Sequence, residues 1–239
     1  RLAKATKWIA IAFMVLALAL TIALTVLIVV YLILKKKKEG DDFAMVTPLT
    51  VDIDADIRTA LTYEELNEQI MSIRRALYHD LGVPFPGINL SLNPAMKDGR
   101  YRLLVNEVPV SEGVLRKGCV FALESAENLE ATGIAFEKGK AFLAGYETNW
   151  VKVEHKGALE EGGIRSLDLN GVLTYHLSSV LRRYAHEFLS LQETRLLFDH
   201  MEREAPELVR EVQRVLPLQK ITDVLQRLVQ EGICIRDLK

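Results

Sequence analysis

The stretch Leu49-Thr50-Val51-Asp52-Ile53-Asp54, with the run from Thr62 to Gly82 behind it, decides the fold class of this chain. Leu49, Val51 and Ile53 alternate with Thr50, Asp52 and Asp54, the period of two expected of a strand with one buried and one wet face. Thr62 and Glu65 have the spacing of a capping box, in which two side chains satisfy free backbone donors at a helix start. Leu66, Ile70, Ile73, Leu77 and Leu81 then recur at helical spacing, and Gly82 stands where a helix stop belongs. After the turn Val83-Pro84-Phe85-Pro86-Gly87, Ile88–Leu92 and Tyr101–Val105 read as strands separated by Asn93-Pro94 and Asp98-Gly99. Strand, helix, strand, strand is half of a ferredoxin-like arrangement, so the fold class is α+β.

Toward the C-terminus, glycines divide residues 106–170 into short apolar pieces such as Cys119–Leu123 and Trp150–Val153, which read as small strands and loops of an inserted, β-rich subdomain. From Leu173 the pattern is helical: Leu173, Leu177, Val180, Leu181, Tyr184 and Phe188 form one stripe. Ser190 and Glu193 repeat the capping-box spacing and open a helix to about Glu204. Pro206 and Pro217 fit first-turn positions of two more helices, Gly232 closes the last, and Ile233-Cys234-Ile235 reads as a short strand.

Toward the N-terminus, Trp8–Leu34 is a run of 27 residues without a formal charge. As a helix it spans about 40 Å, against a hydrocarbon core of roughly 30 Å. It is too long for the apolar core of a cleaved signal peptide, and the sequence predicts a membrane helix at 8–34. The block Lys35–Lys38 behind it places the body in the cytoplasm by the positive-inside rule. The chain has 239 residues and net charge −2, but residues 1–45 hold seven of the 30 basic and three of the 32 acidic residues, so the body carries −6. That balance argues against nucleic acid as a partner, because phosphates are held by clustered cations.

Chemical motifs are sparse. Asp52-x-Asp54-x-Asp56 has the first spacings of a calcium loop, but Ile57 and Tyr63 stand where Gly and Glu are needed, leaving a solvated strand face. His79, His155, His176, His186 and His200 include no i, i+4 pair for zinc. Gly139-Lys140 lacks the glycine that a phosphate loop needs, and no Gly-x-Ser-x-Gly elbow is present. Cys119 and Cys234 form no metal or disulfide pattern and read as reduced structural thiols. No catalytic, metal or cofactor-binding residues are assigned, and no cofactor is expected. A winged-helix DNA reader is the alternative for residues 206–235, giving a single-pass membrane-anchored regulator with a winged-helix-like binding domain. It is disfavoured because residues 171–239 balance ten basic against ten acidic side chains.

Several ordered stretches together resemble one family. They are His176-Leu177-Ser178-Ser179-Val180-Leu181-Arg182-Arg183, Leu191-Gln192-Glu193-Thr194-Arg195-Leu196-Leu197, Pro206-Glu207-Leu208-Val209, Val215-Leu216-Pro217-Leu218, and Val224–Gly232 with Ile235-Arg236-Asp237-Leu238. With Ile73-Arg74-Arg75, Gly82–Pro86, Tyr101–Val105 and Trp150, they resemble the FHIPEP family, the large export-gate proteins of bacterial type III secretion, flagellar and injectisome. The motif positions carrying this are His176, Leu177, Arg182, Gln192, Glu193, Pro217, Arg236 and Asp237.

The resemblance implies a non-enzymatic inner-membrane protein whose cytoplasmic region forms a nine-membered ring and docks export chaperones and their substrates. Its partners would be copies of itself, those chaperones and substrates, other export-apparatus proteins and the membrane. It further implies a membrane helix at 8–34, a tether at 35–45, a first α/β subdomain at 46–106, an inserted second at 107–155, a return to the first at 156–172, and a helical third at 173–239. Family members carry more membrane helices and a fourth subdomain, so the chain is expected to be a fragment, a truncated form or a split gene product. In flagellar relatives chaperones dock in an apolar dimple, which the resemblance puts near Leu143, Ala144 and Tyr175. Read from the residues alone, Phe142, Tyr146 and Trp150 are core or interface aromatics. Arg182, Arg183 and Arg195 are candidate ring-edge charges that ordinary solubility explains as well.

Overall fold

β1 (Leu49–Asp54) is an inner strand of the first sheet in this computed structural model, which describes residues 46–238. Its Leu49, Val51 and Ile53 are buried, as their alternation predicts, on the face that joins the main hydrophobic core. The expected membrane helix and tether lie outside the described residues. Among those described, no helix is long and apolar enough to cross a membrane.

The chain leaves β1 through a 3₁₀ turn at Ala55–Ala60 and enters α1 (Tyr63–Leu81), which buries Leu66, Ile70, Leu77 and Leu81. α1 stops at Gly82, whose φ of +79° only a residue without Cβ adopts cheaply; its N–H donates to the Tyr78 carbonyl at 2.8 Å. The capping box expected at its other end does not form. Thr62 makes no side-chain cap, and Glu65 Oε2 instead accepts from Asn170 Nδ2 at 3.3 Å.

β2 (Asn89–Asn93) returns parallel to β1 and hydrogen-bonds to it directly, while β3 (Arg100–Val105) is antiparallel on β1's other side and pairs with β4 (Val108–Val114). The order β2-β1-β3-β4 corrects the ferredoxin-like expectation, in which a third strand would lie between the two parallel ones. The physical reason is the segment after β2, which carries the chain across to the far side of β1 and so prevents a hairpin between β2 and β3. The true hairpin joins β3 and β4 through Asn106 and Glu107, both left-handed at φ 49° and 66°. β4, numbered in the stretch expected to be the insertion, is thereby an edge of the first sheet.

The second sheet has the order β6-β7-β5-β8, from β5 (Cys119–Ala122), β6 (Phe136–Lys138), β7 (Asn149–Lys152) and β8 (Ser166–Leu167). α2 (Ala126–Thr132) and α3 (Lys156–Glu161) belong to its connections, and β8 pairs with β5 although residues 156–172 were expected to rejoin the first subdomain. Alternation divides these strands between two cores. Val120, Ala122 and Val151 join Leu129, Leu159 and Ile164 in a small one, whereas Phe121 and Trp150, edge to face at 5.4 Å, join the main one.

α4 (Leu169–Arg183) starts at Asp168, whose carboxylate accepts from Gly171 N–H at 2.7 Å, and packs on α1. α5 (Leu191–Glu204) carries the capping box that Ser190 and Glu193 predict. α6 (Pro206–Val215) has its proline in the first turn, while Pro217 caps α7 (Leu218–Gln230) from one position before it, a correction to its expected first-turn place. α5 and α7 meet at buried Thr194 and Thr222, whose hydroxyls lie 2.9 Å apart. The strand expected at 233–235 is not formed: Ile235 is buried and donates one hydrogen bond, 2.9 Å, to the Leu81 carbonyl, too little for a ladder.

Candidate functional site

The loop from β6 to β7 and one face of α4 make the candidate surface. Gly139 N–H donates to the Thr148 carbonyl at 2.8 Å and Thr148 Oγ1 to the Lys140 carbonyl at 3.1 Å, so the loop's two ends are tied. Between them Leu143 is buried, Ala144 is exposed, and Tyr146 stacks edge-on against Tyr175 of α4 with ring centroids 5.7 Å apart. Tyr175 remains 39% exposed although its ring contacts that of Tyr146. Partial burial first, then the neighbouring Tyr146 hydroxyl, raises the Tyr175 phenol above its usual pKa. The three positions expected at the dimple are therefore one buried apolar anchor, one small exposed residue and one half-open aromatic.

Beneath this surface lies a polar cluster whose pairing the sequence reading missed. His176, one residue beyond Tyr175, is buried, with Nδ1 2.7 Å from Tyr101 Oη and Nε2 2.8 Å from Ser111 Oγ. A neutral imidazole offers one donor and one acceptor, and the two hydroxyls supply the complement whichever tautomer is present. Burial pushes the His176 pKa down to about 4 and that of Tyr101 well up. Phe142 roofs the cluster, 5.5 Å from the His176 ring and 6.2 Å from Tyr101. A Cβ on Gly113 would come within 2.5 Å of the Tyr101 ring, which accounts for glycine near the end of β4. A signal was present: Tyr101 falls on the inward face of β3 with Leu103 and Val105, and a buried phenol needs a partner.

The remaining motif positions do separate structural jobs. Leu177 is core; Arg182 pairs with Asp80 of α1 at 2.6 Å. Gln192 is exposed on the first turn of α5, where Glu193 closes the capping box. Arg236 Nη1 meets His79 Nδ1 at 2.6 Å, and Asp237 is exposed beside it in the groove between α1 and α5. Asp54, read as water-facing, is instead buried: Oδ1 accepts from Asp56 N–H at 3.0 Å and Oδ2 from Gly99 N–H at 2.9 Å, so it closes the end of β1. Among the described residues no three His, Cys, Asp or Glu side chains are grouped to hold a metal.

What this arrangement offers is contact surface. Low calcium response locus protein D of Yersinia pestis is 46% identical over 201 residues, 84% of this chain and 29% of that protein. The chain thus spans under a third of that relative's length. The structure of the Chlamydia pneumoniae CdsV protein superposes with a TM-score of 0.74 at 33% identity, covering 82% of this chain and 59% of that one; the CdsV and CdsO complex gives 0.73. The nonameric EscV cytosolic domain from the type III secretion system gives 0.57 at 29% identity, covering 81% and 56%. Residues 33–239 match the FHIPEP family, and the chain belongs to it.

Proposed function

We propose that this chain is a subunit of the export gate of a bacterial type III secretion system. In this reading Trp8–Leu34 anchors it in the inner membrane, the body lies in the cytoplasm as part of a nine-membered ring, and the ring docks export chaperones with their substrates. It then passes the cargo to the other export-apparatus proteins. The sheet β2-β1-β3-β4 with α1 is the first subdomain, the sheet β6-β7-β5-β8 the inserted second, and α4–α7 the helical third. Membership of the family and the nonameric assembly of the EscV domain support the ring. The CdsV and CdsO complex supports contact with a second protein.

The observation that carries the docking reading is the half-open Tyr175 ring on Tyr146, set over a rigid base of buried side chains. Aromatics that are apolar on one side and reachable on the other are common anchors of protein interfaces. The test is binding of the chain's cognate chaperone–substrate complex to the detergent-solubilised full chain. Tyr175→Ala and Ala144→Arg each weaken binding about tenfold or more, at an unchanged thermal midpoint. Undiminished binding by both variants overturns the docking site.

A further inference from the structure

Both halves of the Tyr146–Tyr175 surface rest on one buried ring. On the helix side Tyr175 directly precedes His176. On the loop side Phe142 lies over the His176 ring at 5.5 Å and over Tyr101 at 6.2 Å. The His176 nitrogens are in turn held from two strands, by the Tyr101 hydroxyl of β3 at 2.7 Å and the Ser111 hydroxyl of β4 at 2.8 Å.

α4 is keyed on a second flank as well. Asn170 Nδ2 donates to the Thr62 carbonyl and to Glu65 Oε2, both at 3.3 Å, and Thr174 Oγ1 stands 3.1 Å from Gln69 Oε1 of α1. At about 100° per residue, His176 is about 200° round the helix from Thr174, and Tyr175 lies midway between the two flanks. Apolar packing around Leu173 and Leu177 is non-directional and tolerates a small rotation of the helix, whereas buried hydrogen bonds on both flanks do not. A turn of about 20° would carry a side-chain end at a radius of about 5–6 Å through about 2 Å, enough to undo the edge-on contact of Tyr175 with Tyr146.

We propose that His176, held by Tyr101 and Ser111, is a positioning residue for chaperone docking: it sets the rotation of α4 and the seat of Phe142, and so keeps Tyr175 and Tyr146 in the arrangement a partner meets. This deepens the docking reading of that surface and rests on it. Without the hydroxyl–imidazole bonds the chain still folds on its apolar core, but the competent arrangement becomes one of several, and apparent affinity falls with the fraction that keeps it.

The test compares Tyr101→Phe and His176→Gln with the wild type in the detergent-solubilised full chain. Nitration by tetranitromethane, followed residue by residue by mass spectrometry, is about threefold faster at Tyr146 and Tyr175 in both variants. Tyr63 and Tyr78 of α1, 38% and 41% exposed, keep wild-type rates and report any general loosening. Surface plasmon resonance with the cognate chaperone–substrate complex gives about fivefold slower association at an unchanged dissociation rate, because the contacting side chains are intact. Tyr175→Ala dissociates faster instead. Thr222→Val, which breaks the buried hydroxyl pair between α5 and α7, leaves nitration and association at wild-type values. Wild-type nitration of Tyr146 and Tyr175 in both variants overturns the positioning role, as does a rise shared by Tyr63 and Tyr78. Wild-type association in both variants, with Tyr175→Ala weakened, overturns it too. Undiminished binding by Tyr175→Ala marks failure of the docking reading, and the nitration rates then decide the positioning of the two rings on their own.

Discussion

At His176 the imidazole stands between two hydroxyls and under an aromatic ring, so a proton placed on it loses water and meets no counter-charge. Its native pKa of about 4 lies below the 6.5 of an unfolded histidine. The unfolded chain therefore takes up a proton that the native chain refuses. Its stabilising contribution is complete above about pH 6.5 and is lost as pH falls toward 4, a change of about 3 kcal/mol. Urea unfolding in steps from about pH 7.5 to 5, above most carboxylate titration, shows stability falling with acid in the wild type. His176→Gln is less stable by about 2 kcal/mol at the upper end, because Tyr101 or Ser111 loses a partner, and its profile is flatter. If both profiles share one slope, the titrating group is elsewhere. The sequence shows His176 as a motif position and Tyr101 as inward-facing, but their partnership joins residues on different elements. Nothing local in either sequence neighbourhood encodes it.

Among elements, the two capping boxes show what short-range pattern can and cannot reveal. Ser190 and Glu193 side chains satisfy backbone donors at the start of α5: Ser190 N–H donates to Glu193 Oε2 at 3.0 Å, and Ser190 Oγ accepts from Gln192 N–H at 3.1 Å. Thr62 and Glu65 have the same spacing, yet Asn170 of α4 claims Glu65 and the Thr62 carbonyl, both at 3.3 Å. Ser190→Ala accordingly costs about 1 kcal/mol in unfolding free energy and Thr62→Ala under about 0.5. Equal losses would mean that the Thr62 box forms in solution. Helices α1 and α5–α7 were legible because their apolar positions recur at helical spacing and Gly or Pro follows their ends; α4 was read from its stripe alone, which ran on to Phe188 past its end at Arg183 because no Gly or Pro marks the stop. Strand order was not legible, since alternation says which face is buried and nothing about which neighbour pairs. The β3–β4 hairpin was missed because Asn106-Glu107 is a weak turn pair beside the Asn-Gly signal usually sought.

Over the whole molecule the two cores differ in depth. The main core spans the one buried stripe of α1, the first sheet and α4–α7, while the six residues of the small core lie under α2, α3 and short strands. Opening of the small core is therefore the cheaper event, and hydrogen exchange on the full chain shows α2 and β6 amides exchanging about tenfold or more faster than those of β1 and α4. Uniform protection would mean that both cores open together. β5 and β7 fall between, because Phe121 and Trp150 tie them to the main core. The hydroxyl–imidazole contact also has a bearing on biosynthesis. Tyr101 and His176 are 75 positions apart, so a ribosome adding roughly 5 to 20 residues per second makes the strand several seconds before the helix that completes it. During that interval the nascent first sheet holds its phenol without its eventual partner, and only emergence of α4 from the exit tunnel lets it close.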